Sequence, residues 1–126
     1  MKTLAIVGAG PGLGLSIAKT FGQHGFRVAL IARNQEKLDT YVQQLRELHI
    51  EAASFPADVS NAPQLETALA NVKETFGPVN VLEYSPVPSL TEVAPVLDVT
   101  PENAALQFGY QVLGAITSVR AVLPDM

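Results

Sequence analysis

The stretch Gly8-Ala9-Gly10-Pro11-Gly12-Leu13-Gly14 places four glycines directly after the apolar run Leu4-Ala5-Ile6-Val7. Without a Cβ, glycine lets the backbone turn sharply and lets a ligand approach it closely. A helix beginning at such a loop adds unpaired N–H groups and the positive end of its dipole. The chemistry this supports is the holding of an anion. Between a strand and a helix, it is the arrangement that cradles the pyrophosphate of a dinucleotide. About 20 residues past the loop, where such sites often carry a carboxylate for the ribose hydroxyls, stands Ala32-Arg33-Asn34. A guanidinium in that place pairs with a phosphate through two parallel N–H bonds, which suits a ribose bearing a 2′-phosphate.

The elements that must position these residues alternate. Leu4 to Val7 is continuously apolar, as a strand buried on both faces would be. A helix is expected from Gly12, with Leu13, Ile17 and Phe21 at helical spacing and Gly25 as the left-handed residue past its end. Val28-Ala29-Leu30-Ile31 reads as a second strand. Asn34 is a fitting N-cap for a helix carrying Leu38, Tyr41, Val42, Leu45 and Leu48 on one face. Glu51 to Pro56 reads as a weaker strand. After it Ser60 or Asn61 caps a helix with Leu65, Leu69, Val72 and Phe76 on one stripe, stopped by Gly77-Pro78.

Val79 to Tyr84 supplies a fourth strand, and a proline-rich loop runs through Pro86, Pro88 and Pro95. Thr100 and Pro101 are start signals for a last helix, which the pattern carries to Leu123 before Pro124. Val112, Leu113, Ala115, Ile116, Val119, Ala121, Val122 and Leu123 leave it little polar surface, so burial on more than one side is expected. Strands alternating with helices are βαβ units. The fold expected is therefore α/β, a Rossmann-type doubly wound parallel sheet forming one domain over residues 1–126.

Composition narrows the function classes. With 48% hydrophobic and 16% charged residues the chain is globular rather than disordered. Twelve Asp and Glu against eight Lys and Arg, for a net charge of −4, argue against a nucleic-acid surface. The absence of cysteine excludes disulfides, thiolate metal sites and a cysteine nucleophile. His24 and His49 fall near helix C-termini, where a cationic side chain suits the dipole, and no metal site is expected. No apolar run approaches the ~20 residues that cross a bilayer. The glycines at once interrupt what would otherwise imitate a signal peptide, so a cytoplasmic protein without membrane partners is expected.

The spacing Gly8-x-x-x-Gly12-x-Gly14 resembles the TGxxxGxG loop of the short-chain dehydrogenases/reductases, with Val7 in place of the threonine. The resemblance runs on through Ala32-Arg33-Asn34, Asp58-Val59, the fourth strand, Gly114 and Leu123-Pro124-Asp125-Met126. It implies hydride transfer between NADP(H) and a small alcohol or carbonyl substrate, with Arg33 matching the arginine of NADP-preferring members. The cofactor-binding residues it implies are Gly8, Gly10, Pro11, Gly12, Leu13, Gly14, Arg33, Asn34, Asp58, Val59, Ser85 and Pro86. Asp58 and Val59 would flank the adenine, the Asp58 carboxylate meeting its amino group. The final apolar helix resembles the one that builds dimer interfaces in this family, which implies a homo-oligomer.

The chain departs from the family in two places. Tyr84-Ser85-Pro86-Val87 stands where the family has Asn-Asn-Ala-Gly, and Pro86 lacks an N–H while Val87 lacks glycine's freedom. Gln111 occupies the position of the asparagine that supports a water in the proton relay. It is the candidate catalytic residue, although a purely structural role is the preferred reading of it. The family's serine and Tyr-x-x-x-Lys are expected beyond Met126, for neither Tyr41, Tyr84 nor Tyr110 is followed four residues on by lysine. A sheet ordered 3-2-1-4 would leave its fourth strand at an open edge. The chain is therefore expected to be the cofactor half of a longer enzyme, or a short chain that completes its sheet by association. By itself it would be inactive. A dinucleotide-binding sensor without turnover, or a structural subunit, are the alternatives.

Overall fold

The computed structural model describes residues 1–87 and 93–126, so Pro88 of the proline-rich loop lies outside the described residues. Four strands, β1 (Thr3–Val7), β2 (Arg27–Ile31), β3 (Ala52–Ser54) and β4 (Val81–Tyr84), form one parallel sheet. Their order is β3-β2-β1-β4, the Rossmann-type arrangement read from the sequence. Leu4 of the central strand pairs with Val28 on one side and Val81 on the other. The helices α1 (Leu13–Gln23), α2 (Gln35–Glu47) and α3 (Ala62–Phe76) make the crossovers.

Side chains alternate across a strand, and each face of this sheet has its own core. Leu4, Ile6, Val28 and Leu30 pack with Leu15, Ala18, Leu38 and Leu45 of α1 and α2. Ala5, Val7, Ala29 and Ile31 pack on the other face with Leu65, Leu69, Val72 and Phe76 of α3. Burial on both faces is why the strands read as unbroken apolar runs. Two expected contacts shift. Leu13 is 67% exposed, and Leu15 and Ala18 take the buried positions of α1. Leu48 is 45% exposed, while Ile50 is buried so closely under α1 that a Cβ on Gly22 would lie 2.5 Å from its Cγ2.

Helix ends explain both Gly25 and Ile50. At the end of α1, the Gly25 N–H donates to Gly22 and the Phe26 N–H to Phe21, with Gly25 at φ +89°. The Phe21 and Phe26 rings meet edge to face at 4.9 Å, the apolar contact that accompanies this kind of cap. The end of α2 repeats the pattern: His49 donates to Arg46 and Ile50 to Leu45. The left-handed residue there is His49, at φ +61°. At the N-termini Asn34 accepts from the Lys37 N–H and Asn61 from the Gln64 N–H, so of Ser60 and Asn61 it is Asn61 that caps α3.

The last helix is not continuous. It divides into α4 (Pro101–Phe108), a π-turn (Gly109–Leu113) and α5 (Gly114–Val122), closed by a 3-10 turn at Leu123–Asp125. In the π-turn the Gly114 N–H reaches back five residues to the Gly109 carbonyl. The Tyr110 carbonyl accepts a hydrogen bond from the Tyr84 hydroxyl of β4. Nor is the helix buried on more than one side. Its buried residues are Tyr110, Gly114, Ser118 and Val122, at intervals of four. Leu113, Ile116, Val119 and Leu123 are about half exposed. The close approach of α5 to α3 and β4 selects small residues for the packed face, and the apolar majority points outward.

Candidate functional site

At the C-terminal end of β1 the chain turns at Gly8, whose φ is +95°. The Gly8 and Ala9 N–H groups both donate to the Ile31 carbonyl, at 2.8 and 3.1 Å, and pin the loop to β2. On the other side the Ser85 N–H donates to the Val7 carbonyl at 2.9 Å. A Cβ on Gly8 would collide with the Ser85–Pro86 backbone. Gly14 is buried at the start of α1, and a Cβ there would lie 3.3 Å from Ala9 Cα. Gly10 and Gly12 are different, since no atom lies within 4 Å of where their Cβ would be. Two glycines are thus needed for packing and two leave the loop's outer surface open. Gly12 caps α1 without a side chain, and while the Leu15 N–H donates to the Gly10 carbonyl at 3.1 Å, the N–H groups of Leu13 and Gly14 before it have no partner within the helix.

The opening is a cleft of about 510 Å³. It lies beyond the C-terminal ends of the strands, beside the place where β4 departs from β1 on the opposite side to β2. That is the crevice in which open α/β sheets take their ligands. Of the residues singled out in the sequence, Gly8, Gly10, Pro11, Gly12, Leu13, Gly14, Arg33, Asn34, Val59, Ser85 and Pro86 line it. Asn34 uses its side-chain oxygen to cap α2, at 3.0 Å from the Lys37 nitrogen.

Asp58 and Gln111 do not line the cleft. The Asp58 carboxylate accepts from the Ser60 N–H at 2.9 Å and the Ser60 hydroxyl at 2.7 Å. Burial acts to raise its pKa, but the Ser60 hydrogen bonds and the positive charge of Arg33 outweigh this and hold the carboxyl below its usual 3.8. Gln111 is exposed on the π-turn.

The sequence reading missed Lys37, Tyr41, Ala57 and Tyr110, which also line the cleft, together with Val87 of the segment that departs from the family. Lys37 did leave a signal, because a cation in the first turn of a helix opposes the dipole. Tyr110 left none, being one apolar residue among many in the last helix. Its ring lies under the Arg33 guanidinium, with Cζ 5.8 Å from the ring centroid. Tyr84, the residue in place of the family's asparagine, is a structural post: burial pushes its phenol above the usual 10.0 and keeps it a donor to Tyr110.

A second cavity of about 500 Å³ lies between α3 and α5, lined by residues that include Glu66, Lys73, Arg120 and Asp125. It holds none of the predicted site residues, and Lys73 is paired with Asp125 at 2.7 Å. Among the described residues no group of acidic residues or histidines could hold a metal ion, and no helix is long and apolar enough to cross a membrane.

The sequence profile of the short chain dehydrogenase family matches residues 2–126. The chain belongs to that family. It is 32% identical over 81 residues to 2,3-dihydro-2,3-dihydroxybenzoate dehydrogenase of Bacillus subtilis, covering 64% of this chain and 31% of the relative. Among solved structures it superposes on a variant of actinorhodin polyketide ketoreductase with NADPH, at TM-score 0.86 and 32% identity. That match covers 98% of this chain and 47% of the other. A metagenomic short-chain oxidoreductase in complex with NADP gives TM-score 0.90 at 25% identity, over 99% of this chain and 56% of that one. The chain spans between about a third and about half the length of these relatives.

Proposed function

We propose that residues 1–126 form a single domain whose cleft binds a nicotinamide dinucleotide, NADP(H) in preference to NAD(H). The protein would be an oxidoreductase of the short-chain type, acting on an alcohol or carbonyl substrate. The observation that carries this reading is one cleft that joins a helix N-terminus without a side-chain cap, two open glycines and a guanidinium. The donor set fits the cofactor. Gly10 to Gly14 at the start of α1 would take the pyrophosphate, and Ser85 and Pro86 would border a ribose. Arg33, with Lys37 one turn along, would take a 2′-phosphate. Val59 would lie against the adenine, with Asp58 beside it. When bound, the nicotinamide supplies the hydride acceptor or donor.

Gln111, at the position matching the family's asparagine, lies within the π-turn that Tyr84 holds. With no Tyr-x-x-x-Lys among its own residues, the chain is expected to bind cofactor without efficient turnover. The exposed apolar face of Leu113, Ile116, Val119 and Leu123 supports assembly with a second copy.

Calorimetric titration with NADPH and then NADH tests the reading. Binding of NADPH well ahead of NADH is expected, and binding of neither would overturn it. Arg33→Ala should weaken NADPH by ~1–3 kcal/mol, the scale of hydrogen bonds to charged groups, and leave NADH little changed. An equal loss for both would sink the NADP assignment.

A further inference from the structure

We infer that Tyr110 is a positioning residue for Arg33, and through it sets how strongly the cleft distinguishes a dinucleotide bearing a 2′-phosphate from one without. The inference rests on the proposed cofactor reading and adds to it a residue that no glycine-loop motif contains.

Arg33 is exposed at the rim of the cleft, and among the described residues it makes no ion pair. A long side chain so placed would ordinarily sample many rotamers and lose that freedom on binding. Tyr110, by contrast, is only 4% exposed. Its side chain belongs to the core cluster that includes Ala57 and Val59. Its carbonyl is held by the Tyr84 hydroxyl, inside the turn that the Gly114-to-Gly109 hydrogen bond closes. The ring is therefore a fixed wall of the cleft, and the guanidinium lies over its face at 5.8 Å.

That distance is within the reach of a cation–π attraction. It favours keeping the guanidinium over the ring at the cleft, where its N–H groups are available to an anion. The charge of Asp58 acts on Arg33 from a distance, but the two make no ion pair among the described residues, and Asp58 Oδ1 accepts two hydrogen bonds from Ser60 instead. The segment that fixes the ring begins from Tyr84, a residue foreign to the family pattern. The arginine that reads the ribose is thus tied to the loop at the opposite end of the cleft.

The test compares affinities of the purified chain for NADP+ and NAD+ by calorimetry. Tyr110→Leu should lower NADP+ affinity about five- to tenfold and leave NAD+ within about twofold, the range a partly exposed cation–π contact allows. Tyr110→Phe, which keeps the ring, should restore the wild-type ratio. In an Arg33→Ala background Tyr110→Leu should change the ratio no further. Should Tyr110→Leu fail to fold, pentafluorophenylalanine at position 110 keeps a ring of similar size while removing the attraction, and should give the same loss. An equal fall for both cofactors, or an unchanged ratio in a wild type that prefers NADP+, would overturn the inference and leave the cofactor reading standing. A wild type without preference for NADP+ would overturn that reading, and the inference with it.

Discussion

The Tyr84 hydroxyl stands in the space that a side chain on Gly114 would need, and from there it donates to the Tyr110 carbonyl. A Cβ at position 114 would also come within 3.1 Å of the Val59 carbonyl oxygen. Gly114→Ala should therefore destabilise the chain by ~1–3 kcal/mol through overpacking, read as a fall in Tm. Tyr84→Phe removes the colliding oxygen, so the double variant Gly114→Ala/Tyr84→Phe should be less destabilised than the sum of the two single changes. Strict additivity would contradict this account of Gly114.

At Gly8 two penalties coincide: a positive φ, and a Cβ directed into the Ser85–Pro86 backbone. Backbone cannot move aside as a flexible side-chain tip can. Gly8→Ala is expected to cost more than ~2 kcal/mol and to abolish dinucleotide binding in calorimetry. Gly10→Ala, where nothing lies within 4 Å, should leave the Tm nearly unchanged. Equal Tm losses at the two positions would refute the division of the glycines into packed and open ones.

Asp58 gives a pH dependence with a definite sign. Its folded pKa lies below the usual 3.8, so ionisation favours the fold. That contribution is complete above the unfolded value of about 4 and is lost as the pH falls through the lowered folded value. Asp58→Asn should remove it, so that between about pH 6 and about pH 3 the variant's Tm falls less steeply than that of the wild type. Parallel slopes would show that Ser60 and Arg33 do not hold the carboxylate as described.

His49 performs at the end of α2 the left-handed step that Gly25 performs at the end of α1. A side chain in that conformation is strained by ~1 kcal/mol, and His49→Gly should raise stability by a few tenths to ~1 kcal/mol in chemical denaturation. A loss on substitution would mean that the His49 side chain contributes more than the strain it carries.

The sequence reading succeeded where one residue type has one structural use. Asn34 and Thr100 cap helices, one of the two candidates Ser60 and Asn61 caps α3, α3 stops at Gly77, Gly25 takes positive φ, and the apolar runs are strands covered on both faces. It failed where the decisive contact is distant in the chain. Nothing local indicates that Tyr84 will bond to residue 110 and open a π-turn in what reads as an ordinary helix. The outward apolar face of α5 was misjudged for a related reason. Hydropathy shows how much apolar surface a helix has, and not that Gly114 and Ser118 would be the side against α3 and β4. In the cleft the glycine loop and Arg33 were legible from motif and charge. Tyr110 was not, because only the fold brings an aromatic ring beneath a guanidinium more than half the chain away.

The strand order also sets a sequence of events in folding. The β1, β2 and β3 pairings are built from successive local crossovers, whereas β4 returns to the first strand across 77 residues, measured at the Thr3–Asn80 contact. Long-range pairings of this kind form late. Ser85 and Pro86 reach Gly8 only when β4 is in place, so the wall of the cleft is expected to be among the last parts to assemble, with hydrogen exchange at Ser85 reporting its opening. A molecule lodged there would act as a clasp on a late-closing seam, lengthening the life of the finished fold more than it hastens its making.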